Sequence, residues 1–444
     1  MKEFKKVIIF GLGVSGRSAL RLMALENVEL ILINKSPVEQ TKTLIKDDIE
    51  LSSKSVTVIE DYDKDELLKH IDSDFIILSP GIPREHPLIN DLDIPIYSEI
   101  EVASWYIDSP IVAITGTNGK TTTVSFLDEC LKHSKVSHFT GGNIGRGLCD
   151  YVVDLKNGAD TRKKLILLEL SSFQLESMES FSPKVCAILN LTFSHGERYS
   201  DLKSYAIAKS HILKNCDYAF VAKGVFESSS IKCPYSYQGE EIDLADIDKV
   251  RDELYALDKN AIKKRHMKGD HNLLNIYFAM LILEKLGIDL TCLVKALKTF
   301  KGAPFRFQKI FDKDGLEVFN DAKSTNWQST ETALKAFKKD DIVTLIIGGQ
   351  CRGENDYNSD FFKSYENDIN LLILTGESGK LIHNKLLQEK FKMTKIYLHT
   401  LDEIKKYITE NKIKGKLVYS PAFPSFDQFK NYIDRGESFN KLFI

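Results

Sequence analysis

Short, nearly continuous apolar runs recur along the chain, separated by longer stretches with a helical period. VIIF (7–10), ELILIN (29–34), FIILS (75–79), IVAIT (111–115), LILLEL (165–170), VCAILNL (185–191), IVTLIIG (342–348), LLILTG (371–376) and LVYSP (417–421) read as buried strands. LEVFN (316–320) adds another. Helical patterns at 16–26, 120–132, 201–214 and 329–338 follow several of them. This alternation predicts an α/β fold with mostly parallel sheets. Ligands in such sheets bind beyond the carboxyl ends of the strands, where the unusual residues of this chain cluster. Breaks near 98 and 302 predict three domains, 1–98, 99–302 and 303–444, in line with the rough prior for this length. The stretch 217–265 is weakly patterned and predicts only a short-stranded excursion.

The bulk numbers narrow the class. Apolar residues make up 43% and charged residues 28%, with a net charge of −3, as in a soluble globular protein. No basic block is large enough for a nucleic-acid surface. The seven cysteines (130, 149, 186, 216, 233, 292, 351) form no CxxC pair, which argues against a disulfide framework or zinc knuckle and suits a reducing cytoplasm. The apolar run in MKEFKKVIIFGLG is too short for a signal peptide, and no run approaches a membrane span.

Five clusters carry chemistry. GLGVSG (11–16) stands between a strand and a helix, as a dinucleotide fingerprint does, and favours a pyrophosphate at a helix N-terminus. The acid expected at the end of the second strand is absent: ELILIN ends in Asn34, with Lys35 next. NAD, another nucleotide and a bare turn all stay open for this motif. SPGIP (79–83) is a second turn on the same sheet.

ITGTNGKTTT (114–123) places Gly116, Gly119, Lys120 and Thr121 between a strand and a helix. It is a phosphate-binding loop whose two glycines stand only two residues apart. Its N–H groups can hold phosphate oxygens, Lys120 can reach the β- and γ-phosphates, and Thr121 can hold Mg²⁺. LILLELSSFQLE (165–176) ends a strand in Glu169, a candidate Mg²⁺ ligand. Taken alone, Glu169 reads as a solvated strand end. NLTFSHGERYSDLKSYAIAKS (190–210) offers His195 in a loop and Lys209 in a helical pattern capped by Ser200 or Asp201. Taken alone, Lys209 reads as a surface lysine. GGNIG (141–145) carries Asn143, which could touch phosphate. APFRFQK and FNDAKSTN deliver Arg306, Asp321, Lys323, Thr325 and Asn326, suited to an anion or a polar loop. GDHNLLN (269–275) sets His271, Asn272 and Asn275 around a helix start that Asp270 could cap.

The combination is more specific than its parts. TGTNGKTT, ELSSFQLE, NLTFSHGERY, GDHNLLN, FRF, NDAKSTN and SPAFPSFDQFKNYIDRGESF occur in this order over the whole chain. The chain resembles the Mur ligases, the ATP-dependent amide-bond-forming family of peptidoglycan synthesis, to which folylpolyglutamate synthases are related. The resemblance implies a UDP-binding Rossmann-like domain, a central ATP-binding domain and a C-terminal Rossmann-like domain.

It also implies roles. Gly116, Thr117, Asn118, Gly119, Lys120, Thr121 and Thr122 would bind ATP phosphates. Thr121 and Glu169 would hold one Mg²⁺, and His195 and a carbamylated Lys209 a second. Asn272 and Asn275 would lie near adenine, and Arg306, Asp321 and Lys323 would reach the ATP. Val14, Ser15, Asn34, Ser79, Gly81, Asn143, Ser171 and Gln174 would line the site of the UDP substrate. Thr325, Arg352, Ser425 and Tyr432 would hold the amino acid. GLGVSG, SPGIP, the ELSSFQLE wording and the tail imply a member that joins D-glutamate to UDP-N-acetylmuramoyl-L-alanine. A cytoplasmic monomer is expected. The alternatives are an L-alanine- or polyglutamate-adding relative and, from GLGVSG alone, an NAD-dependent oxidoreductase.

The chain departs from the family in places. Phe193 and Ser194 precede the histidine where acids are usual, and Gly196-Glu197 follows. Asn34 and Ser36 replace the aspartate and arginine near the uracil, and Arg352 replaces a lysine that pairs with the D-glutamate side chain.

Overall fold

The computed structural model describes residues 4–48, 51, 54–158, 164–196, 198–265, 267, 269–351, 356–389 and 391–443. They form two compact units, Met1–Phe300 and Lys301–Ile444, built on three sheets.

The first sheet is wholly parallel, ordered β3-β2-β1-β4-β5. It comprises β1 (Lys6–Phe10), β2 (Glu29–Asn34), β3 (Thr57–Glu60), β4 (Phe75–Leu78) and β5 (Ile96–Tyr97), with helices α1 (Val14–Ala24), α2 (Val38–Lys46), α3 (Lys64–Leu67) and α4 (Glu99–Ser104). The GLGVSG turn lets α1 close onto β1: a Cβ on Gly16 would stand 1.8 Å from the Gly11 carbonyl oxygen.

The second sheet is also parallel, ordered β11-β10-β9-β6-β8-β7. Its chain order is β6 (Ile111–Thr115), α5 (Lys120–Ser134), β7 (His138–Gly142), α6 (Leu148–Lys156), β8 (Leu165–Glu169), α7 (Ser172–Leu175), β9 (Val185–Ile188), α8 (Leu202–Ser210), β10 (Ala219–Ala222), β11 (Gly239–Ile242), α9 (Ile247–Lys264), α10 (Asp270–Lys285) and α11 (Thr291–Thr299). One apolar core runs through both sheets, from Val7, Ile9, Leu32 and Ile77 through α1, α4 and α6 to Ile114, Leu168 and Ile188. The alternate residues Ile8, Ile31, Ile33 and Ile76 face a smaller core on the other side of the first sheet, as the two-residue period of a strand requires.

The second unit is ordered β12-β13-β17-β14-β15-β16 and is parallel apart from the β12–β13 hairpin. It runs β12 (Gln308–Lys313), β13 (Leu316–Asn320), α12 (Trp327–Leu334), β14 (Val343–Gly348), α13 (Ser359–Tyr365), β15 (Leu371–Thr375), α14 (Gly376–Gln388), β16 (Thr394–Tyr397), α15 (Leu401–Glu410), β17 (Gly415–Tyr419) and α16 (Tyr432–Asn440). Leu345, Ile347, Leu372 and Leu374 fill one face of the sheet, and Ile346, Ile373, Leu417 and Tyr419 the other.

All nine apolar runs of the opening analysis form strands. VCAILNL is shorter than its apolar run: β9 stops at Ile188, and Asn190 turns aside into a loop. The stretch 217–265 is richer than expected, with β10, β11 and the long helix α9.

Candidate active site

Strand β6 ends in Thr115, and the chain turns through Gly116–Gly119 into α5. Gly119 is the residue before the helix and has a left-handed backbone, φ 83°. A Cβ there would meet Asn275 Oδ1 at 2.4 Å. The loop is held from the segment that follows β9: Asn118 N–H donates to Asn190 Oδ1 at 2.9 Å, and Asn190 Nδ2 donates to the Asn118 carbonyl at 3.0 Å. Thr117 and Thr192 close a second pair, side chain to backbone in both directions, at 2.9 and 3.0 Å. The loop is therefore pre-shaped with its N–H groups at a helix start, where the helix carries about half a positive charge.

Lys120 folds back over this loop, its Nζ donating to the carbonyls of Gly116 (2.8 Å) and Thr117 (3.0 Å). Lys209 comes from α8 to the same carbonyl of Gly116, at 3.0 Å, and lies 4.6 Å from the centre of the Tyr205 ring. It is 1% exposed. The surface-lysine reading is thus corrected: the helix, capped by Asp201 through a reciprocal box with Ser204, turns Lys209 inward. Burial pushes its ammonium well below the usual lysine value, Lys120 adds like-charge repulsion, and Glu169 opposes both.

Glu169 is 1% exposed, so the solvated-terminus reading is also corrected. Its Oε1 accepts from Asn143 Nδ2 at 2.8 Å, and its carbonyl accepts the Asn143 N–H at 2.8 Å. Strand β8 thereby delivers a fixed carboxylate close enough to Lys209 to favour its charged form. Thr121 is 5% exposed at the first turn of α5. Among the described residues no group of three or more His, Cys, Asp and Glu is arranged to hold a metal ion. The donor set nevertheless fits Mg²⁺, which is commonly held by one or two carboxylates with phosphates and waters completing the shell; a buried, oriented Glu169 and a helix-start hydroxyl are of that kind.

Asn275 is 7% exposed and braces the loop from behind, accepting from Thr123 Oγ1 and donating to Asn272 Oδ1, both at 3.3 Å. His271 stands beside Gly269, which precedes α10 as its cap without a side-chain bond; Asp270 is the first residue of that helix and does not cap it. His195 lies in the loop after β9 with φ 61°, its ring 4.9 Å from that of Phe173. Ser171 and Gln174 bond each other in a capping box at α7.

At the carboxyl end of the first sheet, Val14 is 71% exposed at the start of α1 and Ser15 follows. Asn34 Nδ2 donates to Thr41 Oγ1 at 3.0 Å, and Ser79 Oγ to the Gly11 carbonyl at 3.1 Å. Gly81 is exposed in the neighbouring turn.

In the second unit, Asp321 accepts from Ser420 Oγ (2.7 Å) and the Phe307 N–H (3.0 Å). Burial pushes its carboxyl up to about 7, against those bonds and the Arg306 charge. Lys323 lies 5.2 Å from the Tyr432 ring. Thr325 is half-buried and Ser425 is 2% exposed. Arg352 and Glu197 lie outside the described residues.

Sequence reading missed Thr115, Asn190, Thr192, Tyr205 and Phe173. Each is an ordinary polar or aromatic residue whose role is to hold a neighbour, and only its nearness to a motif could have marked it.

Residues 114–283 match the family model described as the Mur ligase middle domain. A UDP-N-acetylmuramoylalanine–D-glutamate ligase from Caldanaerobacter subterraneus subsp. tengcongensis is 31% identical over 458 residues, covering 99% of this chain and 98% of the relative. The chain belongs to the Mur ligase family. Its fold agrees with other Mur ligases: UDP-N-acetylmuramate-alanine ligase of Thermotoga maritima superposes with a TM-score of 0.55 at 20% identity, covering 98% of both chains. The MurF ligase of Thermotoga maritima, solved in complex with ADP, gives a TM-score of 0.52 at 17% identity, covering 99% of this chain and 95% of that one. This Mur ligase is thus an enzyme of three α/β sheets. No helix among its described residues is long and apolar enough to cross a membrane.

Proposed function

We propose that this Mur ligase joins D-glutamate to UDP-N-acetylmuramoyl-L-alanine at the expense of ATP. The observation that carries the reading is the convergence of Lys120, Lys209 and Glu169 on the pre-shaped loop after β6. D-Glutamate as the amino acid is supported by the near full-length relation to a D-glutamate ligase and by the SPAFPSFDQF and RGESF tail.

In this reading the γ-phosphoryl of ATP passes to the alanyl carboxylate of the UDP substrate, giving an acyl phosphate and ADP. The amine of D-glutamate then attacks the acyl carbon, and phosphate leaves as the amide forms. The loop 116–122 holds the phosphates, with the Thr117 and Asn118 N–H groups tied to Asn190 and the helix-start N–H groups after Gly119 facing them, and Lys120 releases its two carbonyls to follow the transferring charge. Mg²⁺, when bound, supplies neutralisation of that charge. Thr121 and Glu169 would hold one ion. His195 and Lys209 would hold the second if the lysine amine takes up CO₂ and loses a proton, which turns a poor ligand into an anionic oxygen donor. A buried amine held below its usual pKa is suited to that reaction. Asn272 and Asn275 are assigned to the adenine side. Val14, Ser15, Asn34, Ser79, Gly81, Asn143, Ser171 and Gln174 are assigned to the UDP substrate. Of the second unit, Arg306, Asp321 and Lys323 are assigned to ATP, and Thr325, Arg352, Ser425 and Tyr432 to the amino acid.

The test is phosphate release with UDP-N-acetylmuramoyl-L-alanine, ATP and Mg²⁺, comparing D-glutamate with L-alanine, L-glutamate and no amino acid. Release that depends on D-glutamate is expected. Equal release with L-alanine or L-glutamate would overturn the assignment.

A further inference from the structure

Residues of two sequence motifs that the mechanism leaves unused, Glu176 of ELSSFQLE and Arg198 of NLTFSHGERY, converge on His195. A φ of 61° is uncommon for a residue with a Cβ, so something must hold that loop. The His195 carbonyl accepts the backbone N–H groups of Arg198 and Tyr199, both at 2.9 Å. Its ring meets Phe173 at 65°, centroids 4.9 Å apart. The guanidinium of Arg198 lies 5.3 Å from the centre of that same Phe173 ring. It also pairs with the carboxylate of Glu176, and the two side chains are only 10% and 14% exposed. The carbonyl of Glu176 in turn accepts from Arg84 Nη1 at 2.6 Å. Arg198 thus reaches His195 twice, through its own backbone and through Phe173 by a cation–π contact. A charge pair this buried resists rearrangement, because breaking it strands a charge.

We propose that Glu176 and Arg198 form a positioning clamp that fixes the His195 ring through Phe173, with Arg84 anchoring the Glu176 end. The clamp rests on the reading of His195 as a group at the second Mg²⁺ site. Groups that orient a ligand from behind typically cost 10–100-fold in metal affinity or activity when removed.

The test uses the full chain. In the metal-free, nucleotide-free protein, the imidazole proton resonances of His195, identified by their loss in His195→Gln, are recorded for Arg198→Gln, Glu176→Gln, the double variant and Arg198→Lys. Either Gln variant is expected to move the His195 resonances toward those of an exposed histidine. Each should raise half-saturating Mg²⁺ about 10–100-fold, with the KM for the UDP substrate changed less than twofold. The double variant should add nothing further, and Arg198→Lys should recover part of the effect. Unmoved resonances, or losses that simply add, would overturn the clamp. If Arg198→Gln fails to fold, Arg198→Lys and Glu176→Gln are judged by the same resonances. Normal turnover in His195→Ala would remove the Mg²⁺ reading, while the resonances would still decide the clamp.

Discussion

Two lysines beside one carboxylate make an electrostatically uneven set, and the imbalance separates their roles. Lys120 is half-buried and donates to carbonyls of its own loop, bonds it can exchange for a phosphate at the same loop. Lys120→Ala is therefore expected to lower kcat by at least about 10²-fold, in the range seen when one preorganised charge-stabilising donor is removed. Its thermal midpoint should stay close to that of the parent; near-normal turnover would contradict the loop's role. Lys209 is different, being buried and depressed by burial and by Lys120. Lys209→Ala is expected to be inactive and to regain turnover with millimolar short-chain carboxylates, which would place an anionic oxygen where a carbamate on Lys209 would stand. Absence of rescue with unchanged metal binding would count against carbamylation. Neither lysine's surroundings were legible in the chain. The motif GTNGKT announces Lys120, whereas Lys209 sits in a helical pattern like any surface lysine, and only the packing of α8 against the loop buries it.

The elements that were legible are those whose sequence satisfies one environment throughout. ELILIN and IVAIT lie in sheet interiors, form strands with the bounds read from the sequence, and bury every residue but the ends of ELILIN. Edge strands were missed because one side faces water: GEEI of β11 is exposed at three of four positions, and TKIY of β16 has no fully buried residue. Helix α9 was hidden by a break in phase. Asp258 is non-helical inside it (φ −163°, ψ 95°) and caps the following turn through the Ala261 N–H at 2.8 Å. Val250 and Leu254 therefore follow one helical register and Ala261 and Ile262 another. At the start of α5 the constraint is tighter. Gly119→Ala would add strain at φ 83° and a contact at 2.4 Å with an asparagine that is itself held. A loss of about 1–3 kcal/mol in urea unfolding is expected, with a rise in the KM for ATP. An unchanged KM would mean that the loop's shape does not set nucleotide affinity.

A second element-level prediction concerns how α4 grips α6. Glu99 is fully buried, and its Oε1 accepts from the Cys149 N–H at 2.5 Å and from Ser18 Oγ at 3.3 Å. Burial pushes its carboxyl up to about 7, with the Cys149 and Ser18 bonds pulling the other way and Asp150 adding to the rise. Unfolded glutamate titrates near 4.3. Below about pH 4 both states hold the proton. As pH rises from there to about 7 the unfolded state loses it first, so stability falls, and above about 7 it levels off. Relative to Glu99→Gln, which keeps an acceptor but cannot ionise, the parent should lose about 4 kcal/mol across that window. Parallel stability–pH curves for the two proteins would refute this.

At the scale of the molecule, three sheets were legible because each begins a new series of apolar runs, but what joins them was not. The first and second sheets share one core through α1, α4 and α6, where Ile100, Val102 and Ala103 are fully buried. Arg21 of α1 pairs with Asp150 of α6 at 3.1 Å, and Lys156 pairs with Glu26 at 2.8 Å. A chain cut after residue 98 would separate α1 from α4 and α6 and expose an apolar surface on each side. A cut after residue 300 falls between units whose cores are separate. Fragment 301–444 is therefore expected to unfold cooperatively on its own and to give a dispersed amide spectrum. Fragment 1–300 should do the same, and a saturating non-hydrolysable ATP analogue with Mg²⁺ should raise its midpoint. At 100-fold excess over its dissociation constant, a ligand adds about 2.7 kcal/mol. Fragment 1–98 should instead bind a hydrophobic dye and melt without a cooperative transition. A dispersed, sharply melting 1–98 would show that the first sheet is an independent domain despite the core it shares.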